Sequence, residues 1–485
     1  MTLTSEVFFN FGSLDSDSNF RSLRRLRKWT LQDPRSLTIV VAPARLRFRK
    51  CSIKGTQARS LRHATMTVSF SKFASSVETE TAFDVLAIAK QLKAAGLDVI
   101  ELEIGDSPFP TSPSAVDAGI QAIRDDRCHY GPSIGLPEFR QAAADYVNKE
   151  YGLSVGADHV VAGPGAKTFE TFFMEAFVNP GDGVLVFSPY FPTYPPNIAR
   201  RGARMVISDL KQSNDFRPNL DDVEKFINED PSPKAIILNS PHNPTGGICL
   251  PEDLQGLADL VRGKDIVIFS DEPYDQMAWT GKHRSPLEID GMIDQCVAGY
   301  TFSKSFSMSG WRLGFAVSSP DIINMFAKLT NSALSCIPPF TQLAGIEAMK
   351  NDLAERDRRM QDFKEKVELL VSGLNGIEGV NCLMPGGSFY VFPSVAPICN
   401  RLGITSHGLA LYLLQAADDN KGVACLGGEC FGEAGHGFIR FSCAEPNDRL
   451  SAAVDFFAEA IGKTDRIEKY LDENTKYKLT SPYES

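Results

Sequence analysis

The sequence contains no apolar run that approaches the length of about 18 residues needed to span a membrane as a helix. Its ten cysteines are few for 485 residues and include no C-x-x-C pair, and its seven histidines include no closely spaced pair. These absences argue against a disulfide scaffold and against a metal site, and they favour reduced thiols in a cytosolic type of compartment. Hydrophobic residues make up 43% and charged residues 23%, which excludes a disordered or fibrous chain.

The N-terminal segment differs in charge from the rest of the chain. Residues 1–65 carry 13 Lys/Arg and 4 Asp/Glu, a net charge of +9, whereas the whole chain has a net charge of −10. Such a basic, acid-poor segment is typical of an organelle transit peptide, of a nucleic-acid-binding arm or of a disordered tail, and Met66 is an alternative start. Because no helix-turn-helix pattern accompanies the charge, we expect no nucleic-acid binding. We expect a basic leader over residues 1–66 and a cytoplasmic protein, unless the leader is a real transit peptide.

From Met66 onward, strand-like and helix-like segments alternate. This rhythm predicts an α/β fold, in which helices flank both faces of a mostly parallel, mixed sheet in a large domain. The predicted strands are Asp158–Ala162, Gly183–Phe187, Ala203–Ile207, Lys234–Leu238, Ile266–Phe269, Cys296–Tyr300 and Leu313–Val317. The predicted helices between them are Leu136–Glu150, Lys167–Phe177, Pro251–Arg262 and Asp321–Ser335.

The pattern changes after Pro339. One long helix is predicted from about Thr341 to Leu374, because charged residues recur there at helical spacing. Shorter strands and helices follow and predict a smaller α+β domain, and the charged tail after Lys463 is predicted to be peripheral. The predicted boundaries are 67–110 for an N-terminal arm and part of the small domain, 111–338 for the large domain, 339–465 for the small domain and 466–485 for the tail.

Polar, turn-rich motifs follow several of the predicted strands. The carboxyl ends of parallel strands meet at one edge of a sheet, where polar side chains usually face a ligand crevice. Gly163–Lys167 opens a helix whose N–H groups suit a phosphate, and Ser188–Phe191 adds aromatic rings that suit a flat heterocycle. Asn239–Gly247 and Ser270–Tyr274 end two later strands, and a buried Asp271 would need a cation as its partner. Each motif alone is also compatible with a purely structural role.

The segment from Thr301 to Gly314 carries the strongest signal. Lys304 stands in a small, hydroxyl-rich loop at a strand end, where an amine with few charged neighbours is a good nucleophile. Arg312 follows eight residues later and offers two parallel N–H groups to a phosphate. A lone lysine is usually a solvated surface residue, but this Lys–Arg pair follows a series of strand-end motifs, which favours a functional role.

This series of motifs resembles that of the class I/II aminotransferases, which are fold-type I enzymes that depend on pyridoxal 5′-phosphate. The resemblance covers roughly Val68 to Ile461 and rests on the order and spacing of Asn243–Gly246, Asp271–Tyr274 and Ser303–Gly314. Thr301 departs from the Ser or Gly that is usual there but keeps a hydroxyl group. The resemblance implies an enzyme that moves the α-amino group of an L-amino acid to a 2-oxo acid such as 2-oxoglutarate by a ping-pong mechanism.

The resemblance also implies roles for individual residues. Lys304 would bind the cofactor covalently and carry the α-proton, and Asp271 would keep the ring nitrogen protonated, with Tyr274 as a third catalytic residue. The residues implied to bind the cofactor are Gly165, Ala166, Lys167, Phe191, Asn243, Asp271, Tyr274, Thr301, Ser303, Lys304, Arg312 and, from the neighbouring subunit of a homodimer, Tyr130. Those implied to bind the substrate are Gly105, Asn243 and Arg440.

Two other functions use comparable domains. A carbon–sulfur lyase or a decarboxylase on the same fold would use the same residues, so the motifs do not separate them from transamination. A non-catalytic regulator would carry an N-terminal helix-turn-helix, for which residues 1–65 are too short and irregular. The substrate side chain is not defined, although Asn331–Phe340, where some aspartate-specific relatives place an arginine, contains no charged residue.

Overall fold

The computed structural model describes residues 68–77 and 80–484, so the predicted basic leader lies outside the described residues. The chain divides into two units, Met1–Val68 and Ser69–Ser485, and all the helices and strands described belong to the second unit. Their alternation confirms the predicted α/β class. Within the described residues, no helix is both long enough and apolar enough to cross a membrane.

The secondary-structure elements are numbered along the chain. The strands are β1 (Asp98–Glu101), β2 (Val160–Gly163), β3 (Gly183–Ser188), β4 (Arg204–Asp209), β5 (Pro233–Asn239), β6 (Val267–Asp271), β7 (Cys296–Thr301), β8 (Gly314–Val317), β9 (Tyr390–Val391), β10 (Lys421–Ala424), β11 (Leu426–Gly427) and β12 (Ile439–Ser442). The helices are α1 (Lys72–Ser76), α2 (Thr81–Ala94), α3 (Pro113–Arg124), α4 (Pro137–Tyr151), α5 (Lys167–Phe177), α6 (Tyr194–Arg200), α7 (Leu220–Glu229), α8 (Pro251–Val261), α9 (Pro320–Leu334), α10 (Pro339–Asn351), α11 (Leu353–Asn375), α12 (Ala396–Leu402), α13 (Ser406–Gln415), α14 (Asn447–Ala460) and α15 (Thr464–Glu473).

The large sheet has seven strands in the order β2-β8-β7-β6-β5-β3-β4, which correspond to the seven predicted strands. Neighbours from β4 to β7 are parallel, whereas β8 runs antiparallel to both β7 and β2. Alternate residues of a strand point to opposite faces. Val184 and Val186 therefore belong to one core cluster, with Phe172 of α5, and Leu185 and Phe187 belong to the other. The mixed sheet covered on both faces is as predicted.

The parallel part of this sheet positions the candidate site. The register of β5 against β6 pairs Asn239 with Asp271, and that of β6 against β7 pairs Asp271 with Gly299. These are the last residues or nearly the last residues of their strands. The polar motifs that follow the strands in sequence are therefore brought to one edge of the sheet.

The C-terminal third forms two small sheets. Strands β11, β12 and β9 make an antiparallel sheet, and β1 pairs in parallel with β10. The second pairing joins a strand from the N-terminal segment to the C-terminal third, which supports the predicted composition of a smaller α+β domain. The residue boundaries of the domains stay a prediction.

The single long helix predicted from Thr341 to Leu374 is wrong, because α10 and α11 meet at Asp352. Asp352 has φ −105° and ψ 8°, outside the helical region, and its carboxylate accepts hydrogen bonds from the hydroxyl groups of Ser112 and Ser114 at the start of α3. Aspartate is a weak helix former whose side chain competes for local polar partners. The break was missed because Ser112 lies 240 residues away in the sequence.

The tail after Lys463, predicted to be peripheral, is instead packed on the core. It forms α15, in which Ile467, Tyr470 and Leu471 are buried. These residues stand at positions i, i+3 and i+4, so they form one apolar stripe on an otherwise charged helix. The high charge of the segment concealed this stripe.

Replacement of Asp352 with alanine should destabilise the fold by about 2 kcal/mol, because two buried hydroxyl groups would lose a charged acceptor. Urea denaturation of the wild type and of Asp352→Ala measures the difference. Asp455→Ala is the matched control, since Asp455 is exposed in the middle of α14. Equal midpoints for the two variants would contradict the role given to Asp352.

Candidate active site

The carboxyl ends of the central strands open into a cavity of about 540 Å³. Its walls also include residues from the N-terminal segment and from β12. The predicted site residues that line the cavity are Gly105, Ala166, Lys167, Phe191, Asn243, Asp271, Tyr274, Thr301, Ser303, Lys304, Arg312 and Arg440. Two predicted residues, Gly165 and Tyr130, are outside this lining.

Lys304 reaches the cavity from the loop that follows β7. Its Nζ donates a hydrogen bond to the carbonyl oxygen of Gly105, which comes from the N-terminal segment. The same nitrogen lies 5.7 Å from the ring centroid of Phe389 and 6.0 Å from that of Tyr274. The amine is therefore held at the cavity wall by one carbonyl group and two aromatic rings.

Asp271, the last residue of β6, presents a buried carboxylate to the cavity. Tyr194 donates a hydrogen bond to its Oδ2 at 2.7 Å. Burial raises the pKa of the Asp271 carboxyl above its usual range, and the hydrogen bond from Tyr194 acts in the opposite direction. In the part of the chain that the structure describes, Asp271 forms no ion pair, so its charge is open to a cationic ligand.

A chain of hydrogen bonds runs from Asp271 to Arg440. The side-chain amide of Asn239 donates to the carbonyl oxygen of Asp271 at 2.8 Å, and its Oδ1 accepts from the backbone N–H of Asn243 at 2.8 Å. Arg440 Nη1 donates to Asn243 Oδ1 at 2.9 Å. The Arg440 guanidinium also lies 4.3 Å from the ring centroid of Tyr390. These contacts fix the orientation of the guanidinium in the cavity wall.

The other end of the cavity forms an anion cradle at the start of α5. Arg312 Nη2 donates to the carbonyl oxygen of Pro164 at 2.8 Å, and Nη1 donates to Ser303 Oγ at 3.4 Å. Gly165 has φ +93°, and a Cβ atom there would lie 2.7 Å from Arg312 Nη2, so only glycine fits. Thr301 Oγ1 donates to Ser303 Oγ at 2.9 Å. A guanidinium, two hydroxyl groups and a helix N-terminus thus converge, as phosphate binding requires.

Lys167 is oriented by a contact that the sequence did not indicate. Its Nζ forms an ion pair with Glu80, which directly precedes α2, and lies 5.2 Å from the ring centroid of Phe191. Ala82 and Phe83 of α2 line the cavity beside Glu80. The start of α2 therefore supplies part of the wall in addition to Gly105, and nothing in the sequence around Glu80 had indicated this.

Tyr130 lies apart from the other predicted residues. Its side chain is 88% exposed, in the loop between α3 and α4. The role implied for Tyr130 in a neighbouring subunit therefore stays a prediction.

Sequence reasoning also missed several buried polar residues of the site. Glu170 of α5 lines the cavity and accepts hydrogen bonds from Thr193 Oγ1 at 2.6 Å and Asn197 Nδ2 at 3.2 Å. Burial and the nearby Asp271 carboxylate raise the pKa of Glu170 above its usual range. The available signal was a carboxylate that stands between Phe169 and Phe172 in the apolar helix α5. Tyr194 and Tyr390 carried no such signal, because aromatic residues are common in cores.

Glu103 is a second carboxylate that the sequence did not single out. Its side chain is 0% exposed, and neither carboxyl oxygen receives a hydrogen bond from the described residues. Burial raises the pKa of Glu103 to about 7, although the charge of Arg440 opposes the rise. Arg440 Nη2 donates to the backbone carbonyl oxygen of Glu103, so the two residues are in direct contact.

The fold, the lysine, the buried aspartate and the anion cradle together define a fold-type I pyridoxal-phosphate enzyme. A sequence model described as "Aminotransferase class I and II" matches residues 97–457, so the chain belongs to that family. This confirms the resemblance noted in the sequence. The chain is an aminotransferase that depends on pyridoxal 5′-phosphate, and the lyase or decarboxylase alternative is not favoured.

Individual relatives agree with the family assignment. An aspartate aminotransferase of Sulfolobus acidocaldarius is 30% identical over 399 residues, which cover 81% of this chain and 98% of the relative. The structure of the Thermus thermophilus aspartate aminotransferase with maleate superimposes with a TM-score of 0.76 at 29% identity, covering 81% of this chain and all of that one. An alanine aminotransferase from Pyrococcus furiosus gives a TM-score of 0.74 at 28% identity, with the same coverage.

Glu103 should make the folded protein less stable as the pH rises. The pKa of its carboxyl is about 7 in the folded state, above the ordinary value of 4.5, so the folded state holds the proton more tightly and loses stability between these values. In urea unfolding, Glu103→Gln should gain about 2 kcal/mol relative to the wild type on going from pH 5 to pH 8. The control is Asp455→Asn, which removes an exposed carboxylate of α14. A difference that does not change with pH would contradict the burial of a titrating group.

Proposed function

We propose that this aminotransferase transfers the α-amino group of an L-amino acid to a 2-oxo acid in the cavity around Lys304. The observation that carries the proposal is the convergence of Lys304, Asp271 and Arg440 on one cavity. An amine that can move a proton, a carboxylate without a cation and a guanidinium held for a carboxylate are the three groups that this reaction needs. They come from β7, β6 and β12, so the proposal depends on the fold and not on one motif.

The donor set of the cavity fits pyridoxal 5′-phosphate. The anion cradle would hold the phosphate through Arg312, Ser303, Thr301 and the backbone of Gly165–Lys167. Asp271 would pair with the protonated ring nitrogen, and that cation would offset the cost of its burial. Asn243 and Tyr274 would contact the phenolic oxygen, and Phe191 would cover the ring face. When bound, the cofactor supplies an electron sink for the bonds of the substrate α-carbon.

The residues around the cavity would then have separate roles in the reaction. Lys304 Nζ would take the proton from the substrate α-carbon and return it later in the reaction, as a general acid and base. Arg440, which is held by Asn243 and stacked on Tyr390, would bind the α-carboxylate together with the backbone at Gly105. A fixed carboxylate sets the orientation of the α-carbon, which determines the bond that breaks.

The amino donor is to be identified with a panel of L-amino acids and 2-oxoglutarate as the acceptor. Aspartate and alanine come first, because they stand in the names of the relatives. Asn331–Phe340 offers no charged side chain for a distal carboxylate, which weakens the case for strict aspartate specificity through that segment and leaves another carboxylate site open.

Lys304→Ala should abolish turnover while the protein still binds the cofactor noncovalently, because the anion cradle and Asp271 remain. Borohydride reduction should fix the cofactor on a peptide that contains Lys304 in the wild type and on none in the variant. Lys328→Ala, on the exposed face of α9, is the matched control and should behave as the wild type. Labelling of a different lysine would refute the assignment.

We further propose a homodimer in which Tyr130 of one subunit reaches the phosphate site of the other. A groove of about 790 Å³ shares Asp106, Ser309 and Arg312 with the active cavity and is lined further on by apolar residues such as Leu334 and Phe340. An apolar groove that opens beside the anion cradle suits a second copy of the chain.

A cytoplasmic location is proposed as well, unless the leader directs the chain elsewhere. The nine cysteines among the described residues are all free, in keeping with a reducing compartment.

Sedimentation should give twice the mass of one chain, and Tyr130→Phe should weaken cofactor binding several-fold without dissociating the dimer, because it removes one hydroxyl donor. Equilibrium dialysis of the cofactor measures the change. His129→Ala, a neighbouring exposed residue, is the control. A monomer, or unchanged binding in Tyr130→Phe, would disprove the shared site.

A further inference from the structure

Glu103 is held rigidly between the small sheets and the active cavity. The preceding residue, Leu102, donates its N–H to the carbonyl oxygen of Ala424 and accepts at its own carbonyl from the N–H of Ser442. The carbonyl oxygen of Glu103 accepts from Arg440 Nη2. The backbone at Glu103 is therefore tied on both sides, and its side chain starts from a fixed position next to Arg440 and is fully buried.

The charged groups that act most strongly on Glu103 in the described part of the chain include one cation. Arg440 of β12 is the positive neighbour, whereas Glu101 of β1 and Glu445 before α14 are negative, and the Cys425 thiol faces it from between β10 and β11. Arg440 Nε, like the Glu103 carboxyl oxygens, has no hydrogen-bond partner within the described residues. The buried carboxyl group of Glu103 and the buried guanidinium of Arg440 thus lie near each other without a direct hydrogen bond between their side chains.

We propose that Glu103 is a positioning residue that makes carboxylate binding at Arg440 depend on pH. When Glu103 is uncharged, the full positive charge of the Arg440 guanidinium acts on the carboxylate of the substrate. An ionised Glu103 competes with that carboxylate for the same cation. The proposal rests on the proposed function, in which Arg440 binds the α-carboxylate.

The direction of the effect follows from linkage. A bound carboxylate adds a second negative charge beside Glu103 and so favours its protonated form, and protonation of Glu103 favours carboxylate binding by the same factor. Binding should therefore be strongest below neutral pH and weaken as Glu103 loses its proton. If the bound carboxylate shifts the pKa of Glu103 by about one unit, affinity falls about tenfold between pH 6 and pH 9.

The test measures maleate, an unreactive dicarboxylate, by calorimetry at constant ionic strength. The enzyme is loaded with pyridoxamine 5′-phosphate, because its amine forms no imine with Lys304 whose titration would affect the result. The Kd of the wild type, referred to the maleate dianion because maleate takes up a second proton of its own at the acid end of the range, should rise about tenfold from pH 6 to pH 9. That of Glu103→Gln, referred to the same species, should stay within about twofold over this range, because the amide does not ionise. Asp455→Asn, which removes an exposed carboxylate of α14, is the matched control and should follow the wild type.

The outcomes separate this inference from the proposed function. Parallel pH profiles for the wild type and Glu103→Gln, or a flat profile for Asp455→Asn, would overturn the inference. If Arg440→Gln leaves the maleate affinity unchanged, the proposed role of Arg440 fails, and the role of Glu103 fails with it. If Arg440→Gln abolishes binding while Glu103→Gln keeps the wild-type profile, only the inference fails.

A second measurement uses only the wild type, so it does not depend on the folding of Glu103→Gln. Infrared difference spectra of the wild type at pH 8, taken with and without maleate, should show a gain in the C=O stretch of a protonated carboxyl group. The gain is expected because the bound carboxylate returns a proton to Glu103. A spectrum without that gain would overturn the inference even if Glu103→Gln proved unstable.

Discussion

The burial of a carboxylate at the end of β6 is the constraint on which the rest of the site depends. An unpaired charge in a protein interior is costly, and the sheet leaves only 4% of Asp271 exposed, at the wall of the cavity. Tyr194 donates a hydrogen bond to the side chain of Asp271, and Asn239 donates one to its backbone carbonyl oxygen, but neither supplies a positive charge. The carboxylate of Asp271 therefore still lacks a positively charged partner, and a protonated ring nitrogen would supply that charge.

The sequence was informative where chemistry is local. Asp271 ends β6, Asn243 and Lys304 closely follow β5 and β7, and Arg312 lies in the same loop as Lys304, so strand-end logic and motif spacing indicated them before the fold was known. The seven strands of the large sheet were equally accessible, because buried β-rich runs carry their own signature.

The rest of the site could not be predicted because it depends on contacts between distant segments. Glu80 reaches Lys167 from the N-terminal segment, and the break at Asp352 is stabilised by hydroxyl groups on another helix. Glu103 was overlooked for a related reason: a carboxylate inside an apolar run looks like an exposed residue of an edge strand, and only the structure reveals that nothing pairs with it. Each case involves a polar group whose partner, or lack of one, is set by tertiary packing.

The hydrogen bond from Lys304 to the Gly105 carbonyl oxygen connects the lysine of the cavity to the N-terminal segment. The lysine belongs to the large sheet, whereas Gly105 follows Leu102, whose backbone is bonded to the small sheets. Whenever the lysine nitrogen is engaged elsewhere, this contact is lost, and with it about 1.5–3 kcal/mol that ties the segment to the cavity. Under the role proposed for Lys304, the nitrogen that takes part in the reaction therefore also helps to hold the N-terminal segment against the large sheet, and this hold weakens in each step that engages the nitrogen elsewhere.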